Sequence, residues 1–356
     1  MYPLNNGGLK MEPTQNAKRY QYLSDNELSA LKFWQIDESK SDIHFIETVD
    51  HWQLAVTHYP PKEKKFPYPI LLCHGLGSNR LAFYAESSRS FGQYLASNGF
   101  DVYACDLRGH GLSEKPKRTN SLRYNWGFLE YATLDIPAII DAVLSLSSEK
   151  ECCFIGHSMG GILLYYLASQ GDTRIKRGIT LGSSLDYSNT DSLFRLIAAA
   201  APLSHIFPAT PIHWAARISG YLSRYHPGAI DPFLANPRNI SPQSFAQYTG
   251  TATHPVSSRV LRDLALAITG EGMVDQQGQK IANRLVEKGY PFPILAVSGS
   301  GDLQCPPEAA HRFGTEQKVF GKEYGQQEDY GHQDLLIGKR ANLEVWPALA
   351  EWLAKT

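Results

Sequence analysis

The feature that most constrains this chain is the pentapeptide Gly156-His157-Ser158-Met159-Gly160. A short apolar run (151–155) precedes it, and an apolar stretch (161–168) long enough to begin a helix follows it. That order predicts a strand, a sharp turn and a helix with Ser158 at the turn, the layout of a nucleophile elbow. The turn leaves no room for side chains near the serine, which accounts for the glycine at both ends. A serine held there stands above the sheet edge, where a base and a substrate can both reach it.

Around the elbow the chain alternates. Residues 69–75 form a continuous apolar run suited to a strand buried on both faces. Further strands are expected at 101–106, 177–183, 293–299 and 318–324. Helical stretches are expected at 82–97, 129–146, 308–313 and 341–354; the second has apolar residues at 136, 139, 140, 143 and 144, close to a 3.6 period. Such alternation predicts a parallel sheet with helices on both faces, an α/β fold. Ahead of it, 43–49 and 52–59 flank Asp50-His51 and read as an antiparallel hairpin.

The alternation stops over 187–290, which is rich in proline, alanine and aromatics, with helical patches but no convincing buried strand. The organisation expected is therefore an N-terminal extension (1–42), an α/β core (43–186 and 291–356) and an inserted lid or cap (187–290). The extension holds one expected helix, 26–34, with Ser24 and Asp25 as potential caps.

Composition mainly excludes. With 34 basic and 35 acidic residues, nothing suggests nucleic acid or an acidic membrane as partner. The longest apolar stretch, 196–203, is far shorter than the roughly 20 residues that span a bilayer. The first residues lack a charged-then-apolar signal pattern, so secretion by that route is not expected. Of the five cysteines, Cys73, Cys105, Cys152 and Cys153 lie in strand-like runs, where a free thiol acts as a small hydrophobe. Cys305 is the one expected near a site. A reduced, cytoplasmic protein is the resulting expectation.

A serine becomes a nucleophile with a base beside it and an acid to orient that base. Asp302 follows the strand at 293–299, in the position where open α/β sheets place their sites. His332 lies between the last strand and the last helix and is the natural base, with Asp302 holding its other ring nitrogen. Alone, an aspartate after a strand is often a turn former, and a loop histidine, one of 12, is often surface decoration. The order Ser158, Asp302, His332 argues for a catalytic set. Asp186 is the fallback acid; Asp329 and Asp334 are too close in sequence to His332 to reach it across the sheet top. The oxyanion would be held by the backbone amides of Met159, at a helix N-terminus, and Leu76, between Gly75 and Gly77, unless that loop is a simple turn. The run 108–113 reads as a structural loop, with no catalytic role for His110. Residues 193–214 are strongly apolar, with Phe194, Phe207 and Trp214. They suit an acyl-pocket wall or a buried helix, and less well an exposed lid that meets lipid or a second subunit.

The His74-Gly75-Leu76-Gly77 loop, the 106–111 run, the elbow, Gly301-Asp302 and Gly331-His332 fall in the order of the α/β-hydrolase superfamily, which the chain resembles over about 43–186 and 291–356. The stretches 131–138, 330–338 and 344–347 look similar to acid-lipase-like and related bacterial esterase branches. The resemblance implies an eight-stranded, mostly parallel sheet with a lid inserted after the sixth strand, and no cofactor or metal. The layout also resembles polyester synthases, but those use cysteine where this elbow carries Ser158. The function expected is a serine carboxylic-ester hydrolase acting on a small-molecule or lipid-like ester. Its rivals are an acyltransferase or thioesterase using the same triad, and a non-catalytic binding protein on this fold.

Overall fold

A computed structural model describes residues 19–36, 38, 41–86, 89–117, 120–194 and 207–355. Eight strands form one sheet: β1 (Asp42–Glu47), β2 (Gln53–Tyr59), β3 (Ile70–Cys73), β4 (Val102–Asp106), β5 (Cys152–His157), β6 (Ile175–Leu181), β7 (Ile294–Gly299) and β8 (Glu316–Phe320). Their order is β1-β2-β4-β3-β5-β6-β7-β8. β1 pairs antiparallel with β2, and β2 antiparallel with β4. All other neighbours are parallel. The expected eight-stranded, mostly parallel sheet is present.

The helices used below are α1 (Asp25–Phe33), α2 (Phe91–Ser97), α3 (Ile136–Ser147), α4 (Met159–Gln170), α5 (Ile212–Ser223), α6 (Pro242–Thr251), α7 (Ser258–Thr269), α8 (Ile281–Lys288) and α9 (Trp346–Leu353). Side chains alternate across a strand, and here both faces are buried. Leu71, Tyr103, Cys105, Cys152 and Phe154 join α3 and α4 in one core. Ile70, Leu72, Val102, Ala104, Cys153 and Ile155 join α2 and α9 in another. Both faces being apolar is why these strands read as unbroken apolar runs. α4 is buried at every residue but Gln170, as a helix apolar all round must be.

Three stretches depart from their expected form. The helix expected at 82–97 is a 3-10 turn (Arg80–Phe83), a short strand pair (Tyr84–Glu86 with Arg89–Ser90) and then α2. The Ser90 hydroxyl accepts from the Gln93 amide and caps α2, starting the helix late. Residues Tyr131–Asp135 form a π-turn between Phe128–Glu130 and α3. Pro137 has no amide proton and would crowd the preceding turn, and the wider turn relieves both. The last helix is broken at Val345, so that Pro347 falls in the first turn of α9, where proline is tolerated. At smaller scale, the 308–313 helix shrinks to Pro307–Ala310, and the last strand ends at Phe320, before the 3-10 turn Lys322–Tyr324.

Between β6 and β7 the described chain contributes α5 to α8 and a two-residue strand pair (Ala209–Thr210 with Val256–Ser257), which stands apart from the main sheet. α5 packs on α6, and α8 on α4. The apolar stretch 196–203 and residues 1–18 lie outside the described residues. In the extension, α1 begins with a capping box: Ser24 accepts from the Glu27 amide and the Glu27 carboxylate from the Ser24 amide. Beyond it Glu38 is buried and grips the Arg80 guanidinium at 2.6 and 2.9 Å, while Arg80 also reaches Asp106 at 2.8 Å. This ties the extension to the end of β4.

Candidate active site

Ser158 lies between β5 and α4 with φ 54° and ψ −119°. A non-glycine residue at positive φ is strained, and the surroundings hold it there. The Ser158 amide donates to the Leu181 carbonyl at 2.8 Å, and the Ser183 hydroxyl donates to the Ser158 carbonyl at 2.8 Å. Both glycines of the pentapeptide are required by close approach. A Cβ on Gly156 would strike the Gly160 backbone, and one on Gly160 would strike the Cys73 carbonyl.

Asp302 and His332 come together across the top of the sheet. His332 Nδ1 is 2.8 Å from Asp302 Oδ2, and both residues are buried. Asp302 Oδ1 accepts from the amides of Gln304 (2.8 Å) and Cys305 (2.9 Å), so the carboxylate is locked by its own turn. The sequence reading missed Gly182, at φ 58°, where a Cβ would lie 2.9 Å from both Asp302 Oδ2 and His332 Nδ1. A glycine directly after a buried apolar strand was the available signal. It also missed His157, whose Nε2 lies 3.1 Å from the His332 carbonyl oxygen.

The other aspartates point elsewhere. Asp186 pairs with Arg312 at 2.8 Å, and Asp329 accepts from the Ser300 hydroxyl at 2.7 Å. Asp334 is buried beneath the His332 turn, where it accepts from the amides of Gly331 and Asn236 and the Asn239 side chain. Burial pushes its carboxyl up to about 6. Cys305 adjoins the site: its amide donates to Asp302 Oδ1, and its buried thiol, beside the pocket residue Tyr187, is pushed well up in pKa by burial and then by the Asp302 charge.

Leu76, Ser158, Met159, Ile162, Tyr187, Phe194, Leu264, Gln304 and His332 line one mainly apolar pocket. The β3–Leu76 loop is set close to the serine, since a Cβ on Gly75 would come within 2.9 Å of Ser158 Cβ. His74 fixes that loop: its Nδ1 donates to the Gly75 carbonyl (2.8 Å) while its Nε2 accepts from the Leu107 amide (3.1 Å). As the first residue of α4, Met159 has no helical carbonyl behind it to receive its amide. Phe194 belongs to the pocket wall, stacked between Tyr187 and Phe233. Phe207 and Trp214 are exposed, so neither belongs to a buried helix or to that wall; residues 195–206, the middle of the apolar stretch 193–214, lie outside the described residues.

The 108–113 loop is structural. Arg108 Nε and Nη2 lie 2.7 and 2.6 Å from buried Asp135 Oδ1, and Nη1 lies 2.6 Å from Asp50 Oδ2. Burial drives the His110 imidazole down to about 3, so it is neutral. Among the described residues no group of His, Cys, Asp or Glu is placed to hold a metal ion, and no helix is long and apolar enough to cross a membrane.

A sheet of this order, with a serine at a strained strand–helix turn and a buried Asp–His pair over the strand ends, defines a class, and sequence comparison agrees: the chain belongs to the alpha/beta hydrolase fold family, whose model matches residues 68–338. Among its relatives is human lysosomal acid lipase/cholesteryl ester hydrolase, 27% identical over 245 residues, 65% of this chain and 55% of the relative. Another is the poly(3-hydroxyalkanoate) polymerase subunit PhaC of Haloferax mediterranei, 22% identical over 318 residues, 85% and 62% of the two chains. The chain thus spans less than two thirds of the length of either. A solved monoacylglycerol lipase of Paleococcus ferrophilus shares the fold with a TM-score of 0.55 at 18% identity, over 86% of this chain and 99% of that one.

Proposed function

We propose that this protein is a serine carboxylic-ester hydrolase acting on esters of apolar acyl groups. The observation that carries the reading is the Asp302–His332 pair, with His332 opening into the same apolar pocket as Ser158. Asp302 accepts from Nδ1–H, which leaves the lone pair on Nε2 as the base. His332 Nε2 takes the Ser158 proton as Oγ bonds the acyl carbon. The oxyanion is received by the amides of Leu76 and Met159, the latter aided by the α4 dipole. The tetrahedral intermediate collapses, and the leaving alkoxide takes the proton from His332. Water then gives a proton to His332 and attacks the acyl-enzyme; collapse frees the acid and returns the proton to Ser158.

Residues 187–290 serve in this reading as the cap that shapes the acyl site, through Tyr187, Phe194 and Leu264. The lipase names among the relatives support an apolar acyl group. All five cysteines are buried and unpaired, which fits a reducing compartment.

Hydrolysis of 4-nitrophenyl acyl esters of increasing chain length, beside Ser158→Ala, tests the reading. It predicts turnover with a clear chain-length optimum that Ser158→Ala abolishes. Turnover that survives Ser158→Ala, or none at any length, contradicts it.

A further inference from the structure

A band of exposed apolar side chains runs along α5 and past its end. Trp214, Ile218, Tyr221, Leu222 and Tyr225 stand at i, i+4, i+7, i+8 and i+11, one stripe of a 3.6-residue helix. They are 66, 61, 54, 46 and 63% exposed. The opposite side of α5, with Gly220 and Ser223, is buried, and Gly220 lies close against Thr249 of α6. Scattered apolar residues on a surface need no explanation, but a contiguous stripe of this size marks an interaction site.

Charge indicates what covers it. From Asp191 to Asp231 the sequence has no acidic residue between the two, while Arg217 and Arg224 flank the stripe. Arg217 donates to the Thr253 carbonyl at 2.9 Å, and the Arg224 guanidinium lies 5.4 Å from the centre of the Phe33 ring. The near-zero charge of the whole chain conceals this local sign. Trp and Tyr with one apolar and one polar end, on a helix that carries arginines and no acid of its own (Glu27 of α1 is near enough to act on Arg217), are the composition of a helix lying in an anionic lipid interface. A second copy of the chain packed on the stripe by a two-fold axis would bring like charges together.

The stripe adjoins the pocket. A Cβ on Gly77, next to the pocket residue Leu76, would come within 2.9 Å of Ile212 Cδ1. The first turn of α5 therefore rests on the loop beside Ser158.

We propose that α5 docks this protein on an anionic lipid surface, with Trp214, Ile218, Tyr221, Leu222 and Tyr225 entering the boundary between headgroups and acyl chains. Docking brings the Ser158 pocket to esters held in that surface. That second half rests on the hydrolase reading, whereas docking itself rests on the stripe.

The test is co-sedimentation of the full chain carrying Ser158→Ala with vesicles of phosphatidylcholine alone, or of phosphatidylcholine mixed with phosphatidylglycerol. The expected result is binding to the mixed vesicles that weakens with salt and falls about tenfold or more on adding Trp214→Ser, Ile218→Ser and Tyr225→Ser. The same three substitutions in the Ser158 protein are expected to leave turnover of soluble 4-nitrophenyl acetate unchanged. No binding, equal binding to both vesicles, or binding indifferent to the three substitutions would overturn the proposal. So would a dimer dissolved by them in a protein that ignores vesicles. Vesicle binding is read without Ser158, so its failure leaves the hydrolase reading standing. Loss of ester turnover does the reverse.

Discussion

His157 Nε2 lies 3.1 Å from the backbone carbonyl oxygen of His332, and the two imidazole centroids are 4.7 Å apart. A carbonyl only accepts, so Nε2 carries the proton and Nδ1 a lone pair, which is buried without a partner. Burial, with His332 alongside, holds the His157 imidazole well below its ordinary pKa, so it is neutral. The residue before the serine thereby stitches the end of β5 to the loop of the histidine. Replacing it with His157→Phe is expected to lower kcat about tenfold with little change in KM. His157→Gln, which keeps a side-chain donor, should recover part of the loss. Steady-state kinetics on a soluble ester distinguish this from general unfolding, which would lower active enzyme in both variants alike.

Asp302→Asn keeps the shape of the acid but no longer holds His332 in the tautomer that leaves Nε2 free. The expected fall in kcat is about 10³- to 10⁴-fold. The melting temperature should move little, since the turn made by the Gln304 and Cys305 amides can still bond the side-chain oxygen. Kinetics and a thermal melt on the same preparation check both halves.

Gly182→Ala places a methyl 2.9 Å from both members of the Asp302–His332 pair, on backbone at φ 58°. A misplacement of about 1 Å at such a pair costs on the order of 100-fold in rate. Gly171→Ala is the control: it shares the left-handed backbone, at φ 75°, but meets nothing within 4 Å. It should lose about 1–2 kcal/mol of stability and keep its activity.

Burial pushes the folded pKa of Asp334 up to about 6, above the ordinary aspartate value of 3.8, against the lowering effect of its hydrogen bonds. Between those two values the folded state binds more protons than the unfolded one, so this group's contribution to stability grows as pH falls from 7 toward 4. Asp334→Asn does not titrate. The stability of the parent relative to Asp334→Asn should therefore rise in that direction, and urea unfolding at pH 7, 5.5 and 4.5 measures it.

The parallel core was legible because β3, β4 and β5 are apolar on both faces, and such strands announce themselves as unbroken runs. Ser158, Asp302 and His332 were legible because each follows a strand end, in one known order. The 82–97 helix was misread because its apolar residues pack in three separate local forms, and periodicity alone does not register the cap at Ser90. The Glu38–Arg80 pair joins residues whose separation in sequence leaves no pattern to read. Gly182 and His157 act through approach and hydrogen bonding to residues far along the chain. The α5 stripe has the same period whether it faces a core or solvent, so only its exposure told the two apart.

The most direct test of the central claim is covalent labelling with a fluorophosphonate followed by peptide mapping. The account predicts one stoichiometric adduct, on Ser158, with labelling slowed sharply by Asp302→Asn and abolished by Ser158→Ala. An adduct on another residue, or an unlabelled protein that is folded by thermal melt, would contradict it.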